Sequence, residues 1–198
     1  MLVDHVRAPI YSFSDAGGMQ QINFQVPFET AADINTVEVR KDGLAASVLG
    51  VKNFTTAPGI FTVDGVNGAI QHASDYSLVT STAPAERGEV VILYATGLGA
   101  VSPPVASGEA APISPLSAAS EHTTVTIGGY TAEVLFAGLA PGFAGLYQIN
   151  ARVPNDAPSG EVEVRVWLPP AKDATLSPFP LPPHTVYRVS QPVNLYLR

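Results

Sequence analysis

Short segments in which apolar and polar positions alternate run along the whole chain. Five of them combine β-branched or aromatic residues with a period of two, the pattern of a strand with one buried face. They are residues 37–40, 90–94, 124–127, 132–136 and 162–167. Glycine (17 residues) and proline (18 residues) recur between them and leave little room for helices. The sequence therefore predicts an all-β fold of antiparallel, immunoglobulin-like β-sandwiches.

A seven-residue segment occurs twice and indicates an internal duplication. Residues 21–27 read QINFQVP and residues 148–154 read QINARVP, so five of seven positions are identical at an offset of 127. Upstream, residues 8–13 align loosely with residues 132–137. The sequence thus predicts two copies of one supersecondary unit.

A second match lies downstream of this segment. The tetrapeptide Val-Glu-Val-Arg at residues 37–40 recurs at residues 162–165, which is an offset of 125. This offset predicts that the turn before the second tetrapeptide has lost two residues, while both strands are kept.

The two copies predict two modules in tandem that are not equally complete. Residues 1–80 would form an incomplete module with the connection to the next, and residues 85–198 a complete one. A strand-like segment at residues 87–99 precedes the second copy, and the first copy has no counterpart to it. We therefore expect the first module to lack its opening strands. Its open sheet edge invites pairing with upstream domains of a longer chain or with another protein.

Several segments resemble the Solibacter-type uncharacterised C-terminal domain family. They are residues 21–27, 57–62, 87–89, 94–104, 138–143 and 147–150, which together span most of the chain. The resemblance implies tandem immunoglobulin-like modules of a secreted or surface protein of acidobacterial type, and therefore an extracytoplasmic location. It implies no catalytic residues that could be transferred to this chain. Residues 178–198 depart from the short final strand of that family.

Charge and composition exclude several functional classes. Lys and Arg number 10 against 17 Asp and Glu, and no basic run occurs, so a nucleic-acid binder that tracks phosphates is excluded. Without cysteine, disulfides and thiolate metal sites are impossible. The longest apolar run, residues 90–95, is far shorter than the roughly 20 residues of a membrane helix, so we expect no membrane span. Residues 1–7 lack the pattern of a signal peptide.

Two clusters carry candidate catalytic groups. His72, Ser74 and Asp75 place a base, a hydroxyl and a carboxylate close together, as in a hydrolytic triad, although a polar loop between the modules explains them equally. Glu161 and Glu163 share one strand face at about 7 Å, a separation suited to a glycosidase, although a solvated face explains them too. These residues support the alternative hypothesis of a small hydrolase, acting on glycan, ester or lactone bonds in a cleft between the modules.

Two further groups are candidates for binding. Asp64 and Asn67 supply oxygen ligands beside two glycines, so a calcium site is one interpretation and a β-turn the other. Trp167, Tyr130 and Tyr147 are aromatic residues of the kind on which sugars stack in carbohydrate-binding sandwiches. A Trp that covers a module interface is the alternative.

The repeated amides Gln21, Asn23, Gln148 and Asn150 share one strand face, opposite the isoleucines between them. We predict that they hydrogen-bond the backbone of a neighbouring loop. The sequence contains no motif for an activated nucleophile, a metal cage or a phosphate cradle. It therefore favours a non-catalytic structural or binding region without a cofactor, which contacts protein or glycan.

Overall fold

The computed structural model describes residues 1–30, 34–169 and 188–198. All regular structure in these ranges is β-strand, so the predicted all-β class is confirmed. The strands are β1 (Leu2–Val3), β2 (Val6–Arg7), β3 (Ile10–Ala16), β4 (Met19–Phe24), β5 (Ile34–Lys41), β6 (Leu44–Lys52), β7 (Gly59–Ile60), β8 (Ile70–His72), β9 (Val90–Thr96), β10 (Val101–Ser102), β11 (Ala118–Ala119), β12 (Thr124–Ile127), β13 (Tyr130–Leu139), β14 (Tyr147–Arg152), β15 (Gly160–Leu168), β16 (Arg188–Val189) and β17 (Val193–Leu197). The five segments predicted from alternation all lie within strands, namely β5, β9, β12, β13 and β15.

The strands of the described residues form three sheets. Four of them pair in the order β2-β1-β5-β6, and β3 and β4 form a separate hairpin. The other eleven form one large sheet whose main path is β16-β15-β12-β13-β14-β9-β7. Parallel bridges from Asn67 to Asn194 and from Ala85 to Leu197 join its two ends. The large sheet is therefore curled nearly into a barrel.

The core lies inside this large sheet. Alternate residues of β9 point inwards, and Val91, Leu93 and Ala95 are fully buried. Leu93 lies opposite Ile149 of β14, which is also fully buried. Burying each large aliphatic side chain stabilises the fold by roughly 1.5 to 3 kcal/mol, so the hydrophobic alternation holds these strands together.

The β3–β4 hairpin and the β13–β14 hairpin have the same register. Each has a β-bulge, between Ile10 and Ser12 in β3 and between Val134 and Phe136 in β13. In both hairpins the residue after the bulge pairs with the repeated asparagine of the next strand. The duplication is thus present in the backbone. We call β1–β6 the first copy and β12–β17 the second copy.

The turns that precede these hairpins are also equivalent. Asp4 and His5 have φ values of 44° and 67°, and Gly128 and Gly129 have φ values of 59° and 86°. Two positive φ values match the twist of a two-residue hairpin and favour glycine. In the first copy the Asp4 carboxylate accepts hydrogen bonds from the side chain of Asn35 and from the backbone N–H of Thr36, each at 2.6 Å. These bonds hold the left-handed turn without glycine.

One part of the predicted alignment is wrong. Val3 pairs with Val37 in the first copy, and its equivalent Ile127 pairs with Val164, not with Val162. The offset between β5 and β15 is therefore 127, the same as between β4 and β14. The turn has not lost two residues. The match slipped by two because such a shift keeps every side chain of an alternating strand on its original face.

The predicted module boundary at residues 80–85 divides strands that pair with one another. β7 and β8 precede this boundary, yet both pair with β9, which follows it. The hydrogen bonds of β7 and β8 thus join them to the large sheet, whereas β1–β6 pair among themselves. In the tail, residues 178–183 lie outside the described residues, and β17 pairs antiparallel with β15.

Candidate functional site

His72 lies at the end of β8 with both ring nitrogens beside oxygen acceptors. Its Nδ1 is 2.9 Å from Oε1 of Glu89, and its Nε2 is 3.2 Å from the carbonyl oxygen of Ala83. A histidine that acts as a general base needs a ring nitrogen free to take a proton from the substrate. Both nitrogens thus lie beside oxygen atoms of the loop before β9, and a neutral imidazole donates a hydrogen bond through one of them only. The sequence analysis did not single out Glu89, which is brought to His72 by the pairing of β8 with β9.

The other two groups of the predicted triad do not converge on this histidine. Ser74 and Asp75 are exposed in the turn after β8. The Asp75 carboxylate accepts hydrogen bonds from the backbone N–H and the hydroxyl of Ser77, at 2.9 and 2.7 Å. These bonds lower the pKa of Asp75. The carboxylate therefore closes a tight turn and does not orient the histidine.

These groups line a shallow hollow of about 290 Å³. Its lining includes His72, Ser74, Asp75, Glu86, Glu89 and Arg198. None of the residues that line it belongs to β1–β6. His72, Ser74 and Asp75 lie before the predicted module boundary at residues 80–85. Glu86, Glu89 and Arg198 lie after it, so residues of both predicted modules line the hollow.

The two carboxylates of the predicted glycosidase pair are engaged separately. Glu163 binds the guanidinium of Arg165 with two hydrogen bonds, at 2.6 and 3.0 Å. Chiefly because of these bonds, the pKa of Glu163 is lowered, the opposite of what a general acid needs. Glu161 accepts a hydrogen bond from the amide of Asn194 on β17. Glu161 and Glu163 therefore lie on an exposed face of the sheet, each with its own partner.

The Asp64 loop forms a tight turn closed by donors. The carboxylate accepts hydrogen bonds from the backbone N–H of Val66 at 3.0 Å and of Asn67 at 2.7 Å, and from the Asn67 side chain at 2.6 Å. They lower the pKa of Asp64. Three N–H groups thus hold this carboxylate within the loop, and the calcium site stays a prediction. Among the described residues no group of three His, Asp or Glu side chains could hold a metal ion.

The three candidate aromatic residues occupy different environments. Tyr147 is buried, with 2% of its surface exposed, and its hydroxyl donates to the carbonyl oxygen of Gly99. It therefore cannot offer a face to a sugar, and burial raises the pKa of its phenol. Trp167 is half-buried, and its indole N–H donates to Thr126 Oγ1 at 3.1 Å. Tyr130 is exposed at the start of β13.

The repeated amides bond to each other. Gln21 Nε2 donates to Asn23 Oδ1 at 2.8 Å, and Gln148 Nε2 donates to Asn150 Oδ1 at 2.9 Å. The prediction that they bind the backbone of a neighbouring loop is therefore wrong. An extended strand places residues two apart on one face, close enough for this direct bond. The two copies thus share a side-chain contact as well as a backbone register.

The β3–β4 hairpin is held against loops of the large sheet. Tyr11, the bulged residue of β3, donates its hydroxyl proton to the carbonyl oxygen of Ala144 at 2.9 Å. Gln25, which follows β4 and is 7% exposed, accepts a hydrogen bond from the backbone N–H of Gly108 at 2.9 Å. These contacts fix one end of the first copy on the large sheet.

A second set of hydrogen bonds extends this contact. The Glu29 carboxylate accepts the hydroxyl proton of Ser107 at 2.6 Å, and this hydroxyl oxygen accepts the backbone N–H of Phe28 at 2.8 Å. Chiefly because of the bond from Ser107, the pKa of Glu29 is lowered. Side-chain hydrogen bonds therefore hold the β3–β4 hairpin and the residues after it against the loops of the large sheet.

Strand β4 is paired along one edge. Its partner is β3, and no other strand of the described residues pairs with it. The equivalent strand β14 has β13 on one side and β9 on the other. β9 runs antiparallel to β14 over six residue pairs, from Tyr147 with Ala95 to Arg152 with Val90. The first copy thus leaves open, within the described residues, the edge that β9 fills in the second copy.

Apolar side chains of the first copy are exposed where their equivalents are buried. Val26 is 44% exposed and its equivalent Val153 is 1% exposed. Val51 of β6 is 37% exposed and its equivalent Leu195 of β17 is 2% exposed. Further exposed apolar side chains on β3, β4 and β6 are Ile10, Phe13, Met19, Val48 and Leu49. Both hairpins of the first copy therefore expose large apolar side chains.

No protein-family model, curated protein or solved structure matches this chain. The resemblance to the Solibacter-type family therefore stays a prediction. In the part of the chain that the structure describes, no helix is long and apolar enough to cross a membrane.

Proposed function

We propose that this chain is a non-catalytic structural or binding region of a secreted or surface protein, built from two immunoglobulin-like modules of which the first lacks its opening strands. The observation that carries the proposal is an edge of β4 that no strand of the described residues covers, whereas β9 covers the equivalent edge in the second copy. An unpaired strand edge presents N–H and C=O groups that pair with another chain. The partners that fit this edge are upstream domains of a longer polypeptide or another protein.

The engaged state of the candidate catalytic groups supports the non-catalytic part of the proposal. Both ring nitrogens of His72 face oxygen acceptors, and the pKa of Glu163 is lowered. Asp75 and Asp64 hold turns through hydrogen bonds from backbone N–H groups. Each group therefore has a structural task in the folded chain.

The extracytoplasmic location is part of the same proposal. It rests on the resemblance of residues 94–104 and 147–150 to the Solibacter-type family. Glycan contact through the exposed ring of Tyr130 and the half-buried ring of Trp167 belongs to the same class of function.

A substrate panel tests the non-catalytic assignment. The purified chain is assayed against p-nitrophenyl esters, p-nitrophenyl glycosides and lactones, with and without calcium. We expect no turnover above a buffer control. Activity that co-purifies with the chain and is lost in His72→Ala, or in the double variant Glu161→Gln and Glu163→Gln, would contradict the proposal.

The alternative function is a small hydrolase. The observation that favours it is the hollow that His72, its partner Glu89 and Ser74 line together. The same panel decides between the two functions, because ester hydrolysis through this hollow requires both His72 and Ser74. Loss of activity in Ser74→Ala as well as in His72→Ala would establish the alternative.

A further inference from the structure

We propose that the edge of β4 that is open among the described strands binds an extended apolar segment of a partner polypeptide, which pairs antiparallel with β4 in the register that β9 takes on β14. The inference rests on the proposed function and deepens it, because it names the site, the orientation and the chemistry of the partner. The occupant is a strand with apolar side chains at alternate positions.

The template for this complex lies in the same chain. The β3–β4 and β13–β14 hairpins share their register, their bulge and their internal amide bond. Two hairpins with one geometry present the same row of backbone donors and acceptors along the outer edge of the second strand. On β14 this row is satisfied by β9. A strand that meets β4 in the same way would satisfy the equivalent row.

The register assigns the inward positions of the incoming strand. Leu93 and Val91 of β9 lie opposite Ile149 and Ala151 of β14. The equivalents of these two β14 residues are Ile22 and Phe24 of β4. Since directly opposite residues of an antiparallel pair point to the same face, the partner places apolar side chains opposite these two positions.

Side-chain size adds specificity at one of these positions. Phe24 stands where the second copy has the small Ala151. Because protein interiors are close-packed, a larger side chain on β4 requires a smaller one across from it. The partner therefore combines a large aliphatic residue opposite Ile22 with a residue smaller than valine opposite Phe24.

The exposed apolar surface favours a strand over a sugar as the occupant. Val26 and Val51 are exposed at positions where the second copy buries Val153 and Leu195. A strand with alternate apolar side chains covers such a face and at the same time pairs with the edge, which is β-strand addition. A glycan supplies neither the regular amide row nor the apolar side chains.

A synthetic peptide provides the probe. It carries residues 88–97 of this chain between terminal lysines that keep it soluble, and its binding to the full chain is followed by fluorescence anisotropy. We expect saturable binding, with slower hydrogen exchange of β4 amides and unchanged exchange of β14 amides. A peptide with alanine at the position of Val91 binds more tightly than the parent. A peptide with aspartate at the position of Leu93 binds at least about tenfold more weakly, because a carboxylate would be buried without a partner.

Two variants of the chain complete the test. Ile22→Asp places a carboxylate opposite the leucine of the peptide that corresponds to Leu93, and it is expected to weaken binding by at least about tenfold. Leu44→Asp is the matched control, because Leu44 is 77% exposed in the β5–β6 hairpin and lies on another sheet, and it binds the peptide as the parent chain does. The aspartate peptide keeps the test decisive if Ile22→Asp does not fold.

Several results would overturn the inference. They are no binding, equal binding of the parent and aspartate peptides, weaker binding of the alanine peptide, or protection of β14 in place of β4. A stable dimer by light scattering, with β4 amides protected before peptide is added, would assign the edge to a second copy and also overturn it. Absence of peptide binding without turnover in the substrate panel overturns this inference alone, whereas turnover contradicts the proposed function.

Discussion

Replacing Gly145 with alanine places a methyl group in the contact between the β3–β4 hairpin and the large sheet. A Cβ at this position would lie 2.3 Å from Tyr11 Oη and 2.7 Å from Gln25 Cδ. Both distances are too short for non-bonded atoms. The two side chains must therefore swing away, and they can do so only by leaving the hydrogen bonds to Ala144 and Gly108.

The magnitude follows from two contributions. Gly145 has a φ of +61°, so alanine there costs roughly 1 to 2 kcal/mol of backbone strain. Loss of two hydrogen bonds adds about 0.5 to 1.5 kcal/mol each. We expect a loss of about 2 to 5 kcal/mol in the free energy of unfolding. Gly142 is the matched control, because it has a φ of +82° and no heavy atom of the described residues lies within 4 Å of the position its Cβ would take. Alanine there costs roughly 1 to 2 kcal/mol.

Urea unfolding measures both variants, and hydrogen exchange of β3 amides locates the change. Because Tyr11→Phe removes the hydroxyl nearest to the added methyl, it should recover part of the loss in the Gly145→Ala background, as a double-mutant cycle would show. Equal destabilisation by Gly145→Ala and Gly142→Ala, with no coupling to Tyr11, would refute the described contact.

Three further predictions concern ionisable groups. Hydrogen bonds lower the pKa of Asp4, so its carboxylate stabilises the fold above about pH 4, and this stabilisation is lost as the pH falls through the folded pKa. The Asp4→Asn variant should therefore lose less stability than the parent between neutral and acid pH. An unchanged acid limb of the pH–stability profile would contradict this prediction. Burial raises the pKa of Tyr147, so the free energy of unfolding falls as the pH rises above about 10. The Tyr147→Phe variant loses about 1 kcal/mol near neutral pH with its bond to Gly99, but its stability should fall less with rising pH than that of the parent. Urea titrations at several pH values measure both effects. Glu163→Gln breaks an exposed ion pair with Arg165 and should leave the thermal unfolding midpoint unchanged in calorimetry. A clearly lower midpoint would contradict this prediction, because it would show that the ion pair stabilises the fold.

Much of the fold could be predicted from local patterns. A period of two identifies strands because successive side chains of an extended chain point to opposite faces. The repeat of Gln-Ile-Asn predicted two equivalent strands, since an identical segment with the same alternation packs in the same way. Both segments are strands of matching hairpins.

Contacts between distant segments were harder to predict. The approach of His72 to Glu89 depends on the pairing of β8 with β9, which no local pattern reveals. The repeated amides were expected to bond to a loop, because the sequence does not show which polar group is nearest. The Val-Glu-Val-Arg match was displaced because two-residue slips preserve alternation. These errors all concern register or side-chain partners, which depend on the folded arrangement.

Backbone hydrogen exchange tests the central claim most directly, namely that the edge of β4 left open by the described strands is open in solution, while the equivalent strand β14 is paired on both sides. The measurement compares amides of residues 19–24 with those of residues 147–152 in the chain alone, with β5 as the internal reference, since β5 pairs with β1 and β6. The account predicts that β4 amides on the side away from β3 exchange much faster than their β14 equivalents and faster than β5 amides that bond to a neighbouring strand. Equal protection along both edges of β4 would contradict it.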